Sequence, residues 1–360
     1  LAFVPDGDSA WMPALTFAVY IGVLWWAAWY PGAEPGGGGY VAQRIFSAKT
    51  ERDGVLATLW FNVAHYTVRS WPWVLTALAA SVLYGPMDDP ESGYVRVMID
   101  HLPTSLRGLM MAGFLAAYMS TVATHLNWGA SYFVTDLYKR FLRKDESDAH
   151  YVRASRVATL ATMAIAGVLT LFLDSVAGAW RILLAFGSGT GLVLILRFYW
   201  WRINAWSEIV AMAGSFVTSM VLLHVIGLRP DEPREFAWLM LGTLACTTMA
   251  WLVATFVTKP EADATLVAFY ERVRPTGPGW RPIAKLTGIE GAAPPMPVRA
   301  RDWVFGCVLV YASLFGVGKW ILGERLVGLA LLALAAASAI GLARDLRDPA
   351  ALSGGSAHDP

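Results

Sequence analysis

Hydroxyl side chains recur at helical spacing inside one long apolar segment. Residues 112–141 carry no charge before Asp136, yet Ser120, Thr121 and Thr124 share a helix face with Ala117. In hydrocarbon such hydroxyls need a partner, which can be an ion or a neighbouring helix. Hydroxyls and freed carbonyls supply the several oxygen ligands that Na⁺ requires. The spacing alone favours the other interpretation, a stripe of small residues packed between two helices.

Charged residues in apolar surroundings form a second candidate group, Glu34, His65 and Arg69. Glu34 lies in PGAEPGGGG, residues 31–39, where two prolines and four consecutive glycines, Gly36 and Gly37 among them, must interrupt a helix. Its carboxylate could bind substrate, ion or proton, or it could be a cap or loop residue. His65 and Arg69 lie one helical turn apart, and Arg69 suits either a carboxylate of the substrate or a structural tie between helices.

The composition indicates a membrane protein. The chain has 360 residues, of which 56% are hydrophobic and 15% charged, so it is much more apolar than a typical soluble domain. A formal net charge of +1 gives no indication of nucleic-acid binding. We find no Ser-His-Asp, metal or organic-cofactor arrangement, and the two cysteines form no disulfide framework, so we do not expect an enzyme.

Nine apolar segments are long enough, or nearly so, to cross a bilayer, for which about 20 residues are needed. We therefore expect an all-α integral membrane protein with about nine transmembrane helices. The predicted spans are residues 10–30, 55–84, 112–141, 157–173, 175–196, 209–228, 236–258, 303–322 and 326–343. The fifth contains GSGTG, residues 187–191, which lacks the context of a nucleotide loop and predicts close helix packing or a bend.

The distribution of Lys and Arg predicts the orientation of these spans. With nine spans and the loop after Tyr40 in the cytoplasm, 20 basic residues fall inside and 7 outside. This bias places the first residue outside and the carboxyl terminus in the cytoplasm of a multi-pass cell-membrane protein. Residues 259–301 are predicted to form a cytoplasmic linker with one short helix, and residues 346–360 a disordered tail.

Two motifs resemble the sodium:solute symporter family. The first is the signature helix, with Ala116, Ala117, Ser120 and Thr121 followed by an ending at Phe133, Asp136, Leu137, Tyr138 and Lys139. The second is the family's QR-x-x-x-AK loop, represented by Gln43, Arg44, Ala48 and Lys49. The insert at residues 31–39 departs from the shorter turn of sugar-transporting members and argues against a sugar substrate.

The resemblance implies a leucine-transporter-like fold of the APC superfamily, built from two inverted five-helix repeats. It assigns residues 1–200 to the second core repeat, 201–258 to two peripheral spans and 302–345 to two carboxyl-terminal spans. It also implies that the Ala117 carbonyl and the Ser120 and Thr121 hydroxyls form one wall of a sodium site. Only 42 residues precede Gln43, so we expect the first repeat, and the facing wall of that site, to be missing from this chain.

The expected function is sodium-coupled symport of a small organic solute across the cell membrane, incomplete in this chain alone. Na⁺ would be co-transported, and no organic cofactor is expected. Glu34, His65 and Arg69 are the candidates for solute binding, whereas Asp136, Gly36 and Gly37 are candidates for gating or structural roles. The alternative is a transporter-like sensor domain of a signalling protein, although nothing resembling a kinase follows Arg344.

Overall fold

The computed structural model describes residues 5–28, 45–173, 175–275, 277–289 and 296–345. Within these residues the regular structure is helical, apart from one isolated bridge between Trp200 and Gly279. In chain order the helices are α1 Ala14–Ala27, α2 Glu51–Val63, α3 Ser70–Tyr84, α4 Gly93–His101, α5 Thr104–Leu142, α6 Asp148–Thr170, α7 Val176–Gly187, α8 Gly191–Leu196, α9 Ala205–His224, α10 Pro233–Val257, α11 Asp263–Val273, α12 Arg281–Thr287, α13 Met296–Ile321 and α14 Arg325–Asp345.

Six of these helices are long and apolar enough to cross a membrane, namely α5, α6, α9, α10, α13 and α14. They correspond to six of the nine predicted spans. The described part of span 10–30 is the shorter apolar helix α1, and span 175–196 is divided into α7 and α8. Span 55–84 is interrupted at Arg69. Helix α2 and its π-helical extension Ala64–Val68 precede Arg69, and α3 follows it. The predicted break at residues 31–39 lies outside the described residues.

Several helices begin at a residue whose side chain caps the first turn. Thr50 accepts a hydrogen bond from the Asp53 amide at 3.1 Å and starts α2. Asn204 starts α9 with a capping box, in which its Oδ1 accepts from the Ser207 amide at 3.0 Å and Ser207 Oγ accepts from the Asn204 amide. These caps satisfy amides that the first turn of a helix leaves without partners.

The chain divides into two compact units, and the larger consists of Leu1–Trp71 and Ala177–Pro360. One of its cores joins α1, α7 and α10 through Val19, Leu184 and Phe236. Between α9 and α10 the contact is polar as well as close, and its fully buried hydroxyl residues are Ser207, Ser215, Ser219, Thr243, Thr247 and Thr255. Small hydroxyl residues let two helix backbones approach closely in a membrane.

The linker after α10 is more structured than its sequence predicts. The expected short helix is present as α11, and α12 is a second one. Leu266, Tyr270, Trp280 and Ile283 form a small buried cluster between them. The segment is therefore a compact helical element rather than an extended connection.

The smaller unit is Pro72–Val176. It contains the long helix α5, which packs against α6 through Ala130, Val134, Tyr151 and Ala158. The short helix that the sequence suggested in the acidic loop after α3 is present as α4, preceded by a 3₁₀ turn at Pro90–Ser92. This unit carries the signature helix.

Candidate functional site

The hydroxyl pair, Ser120 and Thr121, lies near the middle of α5 with Ala117 one turn earlier. All three residues are exposed. Neither hydroxyl donates or accepts a hydrogen bond within the described part of the chain, whereas Thr124 Oγ1 donates to the Ser120 carbonyl oxygen at 2.7 Å. The hydroxyl pair therefore offers two free oxygens side by side on an apolar helix.

The threonines of α6 behave differently from this pair. Thr159 and Thr162 donate to the carbonyl oxygens of Ser155 and Ala158, each at 2.9 Å. Such bonds to the preceding turn satisfy a hydroxyl in hydrocarbon without an outside partner. Because Ser120 and Thr121 lack them, their hydroxyls need a partner beyond their own helix.

The end of the signature helix is a π-helix, Tyr132–Leu142, in which the Arg143 amide donates to the Tyr138 carbonyl at 2.8 Å. Its wider turn shifts the residues that follow Ser131 relative to ordinary helical spacing. Asp136 lies in this segment and is exposed. In the described part of the chain Asp136 forms no ion pair.

The candidates for solute binding lie in the other unit. His65 is half-buried, and its ring stacks on Phe61 with a centroid distance of 5.0 Å. Arg69 closes the π-helical turn Ala64–Val68 by donating its amide to Ala64 O at 2.9 Å, and its side chain is exposed. Glu34, Gly36 and Gly37 lie outside the described residues.

An aromatic cavity near His65 was not predicted from the sequence. It has a volume of about 570 Å³ and is lined by the aromatic residues Tyr20, Trp25, Tyr66 and Trp180, with Arg181 as its charged member. Arg181 Nη1 pairs with Asp231 Oδ1 at 2.8 Å. The only sequence signal was Tyr66 beside His65, because the other aromatic residues come from distant segments.

The GSGTG segment is a helix break that a neighbouring helix satisfies. Ser188, Gly189 and Thr190 form a turn between α7 and α8, as the predicted bend requires. Ser215 Oγ of α9 accepts from the Gly189 amide at 3.0 Å and donates to the Phe186 carbonyl at 2.6 Å. One hydroxyl thus replaces two backbone partners that the break removes. The segment serves packing, in agreement with the sequence interpretation.

The described residues thus form a helical fold with six helices that could cross a membrane, and one of these carries the hydroxyl pair. A sequence model of the Sodium:solute symporter family matches residues 15–217, which is more than half of the chain. The chain belongs to this family.

Its relatives include proline transporters. The osmoregulated proline transporter OpuE of Bacillus subtilis is 27% identical over 217 residues, covering 55% of this chain and 42% of the relative. The high-affinity proline transporter PutP of the same organism is 27% identical over 205 residues, 54% of this chain and 41% of the relative.

A relative with another named solute is more distant in sequence. The sodium/glucose cotransporter of Vibrio parahaemolyticus is 24% identical over 225 residues, 57% of this chain and 41% of the relative. The chain therefore spans less than half the length of these relatives. No solved structure matches the chain.

Proposed function

We propose that this protein takes part in sodium-coupled symport of a small organic solute, and that the solute is proline-like. Family membership supports the sodium coupling. The observation that carries the proposal is the hydroxyl pair, which has no hydrogen bond within the described chain and lies on an apolar span. The proline-like solute is inferred from the two relatives that are proline transporters.

The proposed sodium ligands on this chain are the carbonyl oxygen of Ala117 and the hydroxyl oxygens of Ser120 and Thr121. A helix carbonyl that accepts one backbone hydrogen bond retains a second lone pair. Neutral oxygens suit a monovalent cation that must bind and then leave, because they supply ligands without a fixed counter-charge. Sodium binding would bias the transporter toward the conformation that accepts solute.

The aromatic cavity is the proposed contribution of the larger unit to solute binding. Aromatic rings give a small apolar ring good contact area, and the Arg181 guanidinium can donate two hydrogen bonds to a carboxylate. The Arg181 side chain is 34% exposed, so it is accessible beside its partner Asp231. His65 and Arg69 lie within three residues of Tyr66 in the chain, and they are proposed to act at the same site.

Uptake of labelled proline tests the sodium coupling. Cells that express the protein from its own gene are compared with a deletion strain, with external Na⁺ either present or replaced by a bulky organic cation. We expect expression-dependent uptake only with Na⁺. Equal uptake in both media would refute sodium coupling, and sodium-dependent uptake of other solutes only would refute the proline-like assignment.

A double variant tests the proposed ligands. Ser120→Ala with Thr121→Ala should raise the Na⁺ concentration for half-maximal uptake about tenfold or more, since a contact with a charged group contributes about 1.5 kcal/mol or more. Ser131→Ala is the matched control, because Ser131 is exposed on the same helix but lies outside the proposed site. An unchanged sodium dependence would remove the hydroxyl pair from the site.

The cavity has its own test. Arg181→Gln should raise the proline concentration for half-maximal uptake about tenfold while the sodium dependence changes little. Arg229→Gln serves as the control, because Arg229 pairs with Glu235 at 3.0 Å but does not line the cavity. Equal effects of the two substitutions would mean that Arg181 has a structural role only.

A further inference from the structure

A groove between α5 and α6 combines basic, hydroxyl and apolar side chains. It has a volume of about 760 Å³ and lies entirely within the smaller unit. The two helices of its wall run antiparallel, so that Lys139 and Asp148 lie at one end, and Asn127 and Leu160 at the other. We call it the basic groove because its two cationic residues, Lys139 and Arg156, face one acidic residue.

Both cations of the basic groove are available for a ligand. Lys139 and Arg156 are exposed, and neither forms an ion pair within the described chain. Lys139 Nζ lies over the Tyr151 ring, 4.7 Å from its centroid, which fixes the ammonium group above a buried floor. The carboxylate of Asp148 forms no ion pair with either cation. Two positive charges that line one groove without counter-ions favour an anion.

The floor at the charged end is rigidly built. Tyr151 is buried, and its hydroxyl donates to the Arg143 carbonyl at 2.8 Å and accepts from the Glu146 amide at 3.1 Å. Beside it, Tyr138 Oη is 3.0 Å from His150 Nε2. These bonds tie the connection between α5 and α6 to the start of α6. The charged end is therefore bounded by side chains that are held by hydrogen bonds.

The remaining length of the groove suits a lipid better than a soluble anion. From Asp148 to Leu160 the α6 wall extends about 18 Å at the usual helical rise. Hydroxyl residues Ser155 and Thr159 alternate there with Val152 and Leu160, and the last two are more than half exposed, at 51% and 67%. A soluble phosphate would use only the charged end. A phospholipid would place its head group there and an acyl chain along the apolar side.

We propose that the basic groove binds an anionic phospholipid, with Lys139 and Arg156 contacting its phosphate and Tyr151 beneath the head group. Basic pockets between membrane helices are suited to such head groups, and each cation near the surface contributes on the order of a fivefold change in affinity. The proposal depends on α5 and α6 spanning a membrane, and it is independent of sodium coupling.

Native mass spectrometry of the purified protein in detergent tests this proposal. Dioleoyl phosphatidylglycerol and dioleoyl phosphatidylcholine are added in turn at equal concentrations. We expect the former to bind at least tenfold more tightly. Lys139→Gln with Arg156→Gln should weaken phosphatidylglycerol binding about 30-fold. Arg153→Gln, which removes an exposed cation from the same helix outside the groove, should leave it unchanged.

Two further measurements separate the alternatives. Dihexanoyl phosphatidylglycerol and millimolar inorganic phosphate should compete poorly with the long-chain lipid, and effective competition by phosphate would overturn the lipid assignment in favour of a small-anion site. Equal binding of the two dioleoyl lipids, or equal losses in the groove and control variants, would overturn the proposal. Unfolding midpoints in phosphatidylcholine show whether the variants are folded. If the double variant is unfolded, Arg156→Gln alone should still lower the affinity for phosphatidylglycerol about fivefold.

Discussion

Replacing Gly191 with alanine is expected to force α1 and α8 apart. A Cβ at Gly191 would stand 2.6 Å from the Ala27 carbonyl oxygen and would overlap that of Trp26, whereas ordinary contact begins at 3.4 Å. The two backbones would have to separate by about 0.8 Å at Ala27 and by more at Trp26. Backbone atoms of a helix cannot rotate away as a side-chain end can.

The expected loss of stability is large because this contact is fully packed. Ala27 is 0% exposed, and Val193, two residues after the start of α8, is 1% exposed. Inserting a methyl group into such a core typically lowers the free energy of unfolding by about 1–3 kcal/mol. We expect about 3 kcal/mol for Gly191→Ala, because the atoms that the methyl group would meet belong to the backbone. The unfolding midpoint should then fall by roughly 6 °C or more.

Intrinsic tryptophan fluorescence of the protein in detergent, followed during heating, measures this change. Gly167→Ala is the matched control, since nothing lies within 4 Å of a Cβ at Gly167 in the apolar helix α6. It should leave the midpoint unchanged or raise it slightly, because alanine is the better helix former. A midpoint for Gly191→Ala equal to that of the parent protein would refute the close approach of α1 and α8.

Three further outcomes follow from local contacts. Asn204→Ala should destabilise the protein by about 2 kcal/mol in thermal unfolding, because Asn204 caps α9 and its side-chain amide also donates to Thr258 Oγ1 at 2.9 Å. Thr50→Ala should destabilise it by only about 1 kcal/mol, because Thr50 is an exposed cap. Trp71→Phe should cost about 1 kcal/mol, since Trp71 Nε1 donates to Leu314 O at 3.0 Å. The hydrogen bond from Lys319 lowers the pKa of the Glu324 carboxyl, so Glu324→Gln should lower the unfolding midpoint at neutral pH. The difference in midpoint between the variant and the parent protein should disappear at a pH below the ordinary carboxyl range, because Glu324 of the parent protein is then protonated.

The helices could be predicted from the sequence where length and apolar composition decide them. The six long spans follow directly from uninterrupted apolar runs, and the break at GSGTG follows from its three glycines. Helix α12 was not predicted, although its signals were present: Pro282 lies in its first turn, and Gly288 ends it with a left-handed φ of 66°. Proline and glycine in this polar linker mark the two ends of a helix and do not indicate an absence of structure.

Other features depend on contacts that no local pattern encodes. The π-helix at Tyr132–Leu142 changes only the hydrogen-bond spacing, and its residues suit an ordinary helix as well. The aromatic cavity requires Tyr20, Tyr66 and Trp180 to meet from three segments. The hydroxyl pair was recognisable by composition and motif. That its two hydroxyls form no hydrogen bond within the described chain, whereas Thr159 and Thr162 of α6 do, follows only from the structure.

The turn between α7 and α8 links positions that are far apart in the chain. Gly189 leaves no space for a side chain against Thr247, and its amide is bound by Ser215, 26 residues away. A side chain at position 189 would require a smaller residue than Thr247, and a residue without a hydroxyl at position 215 would leave the Gly189 amide without this partner. The break in one span therefore restricts the residues that α9 and α10 can carry opposite it.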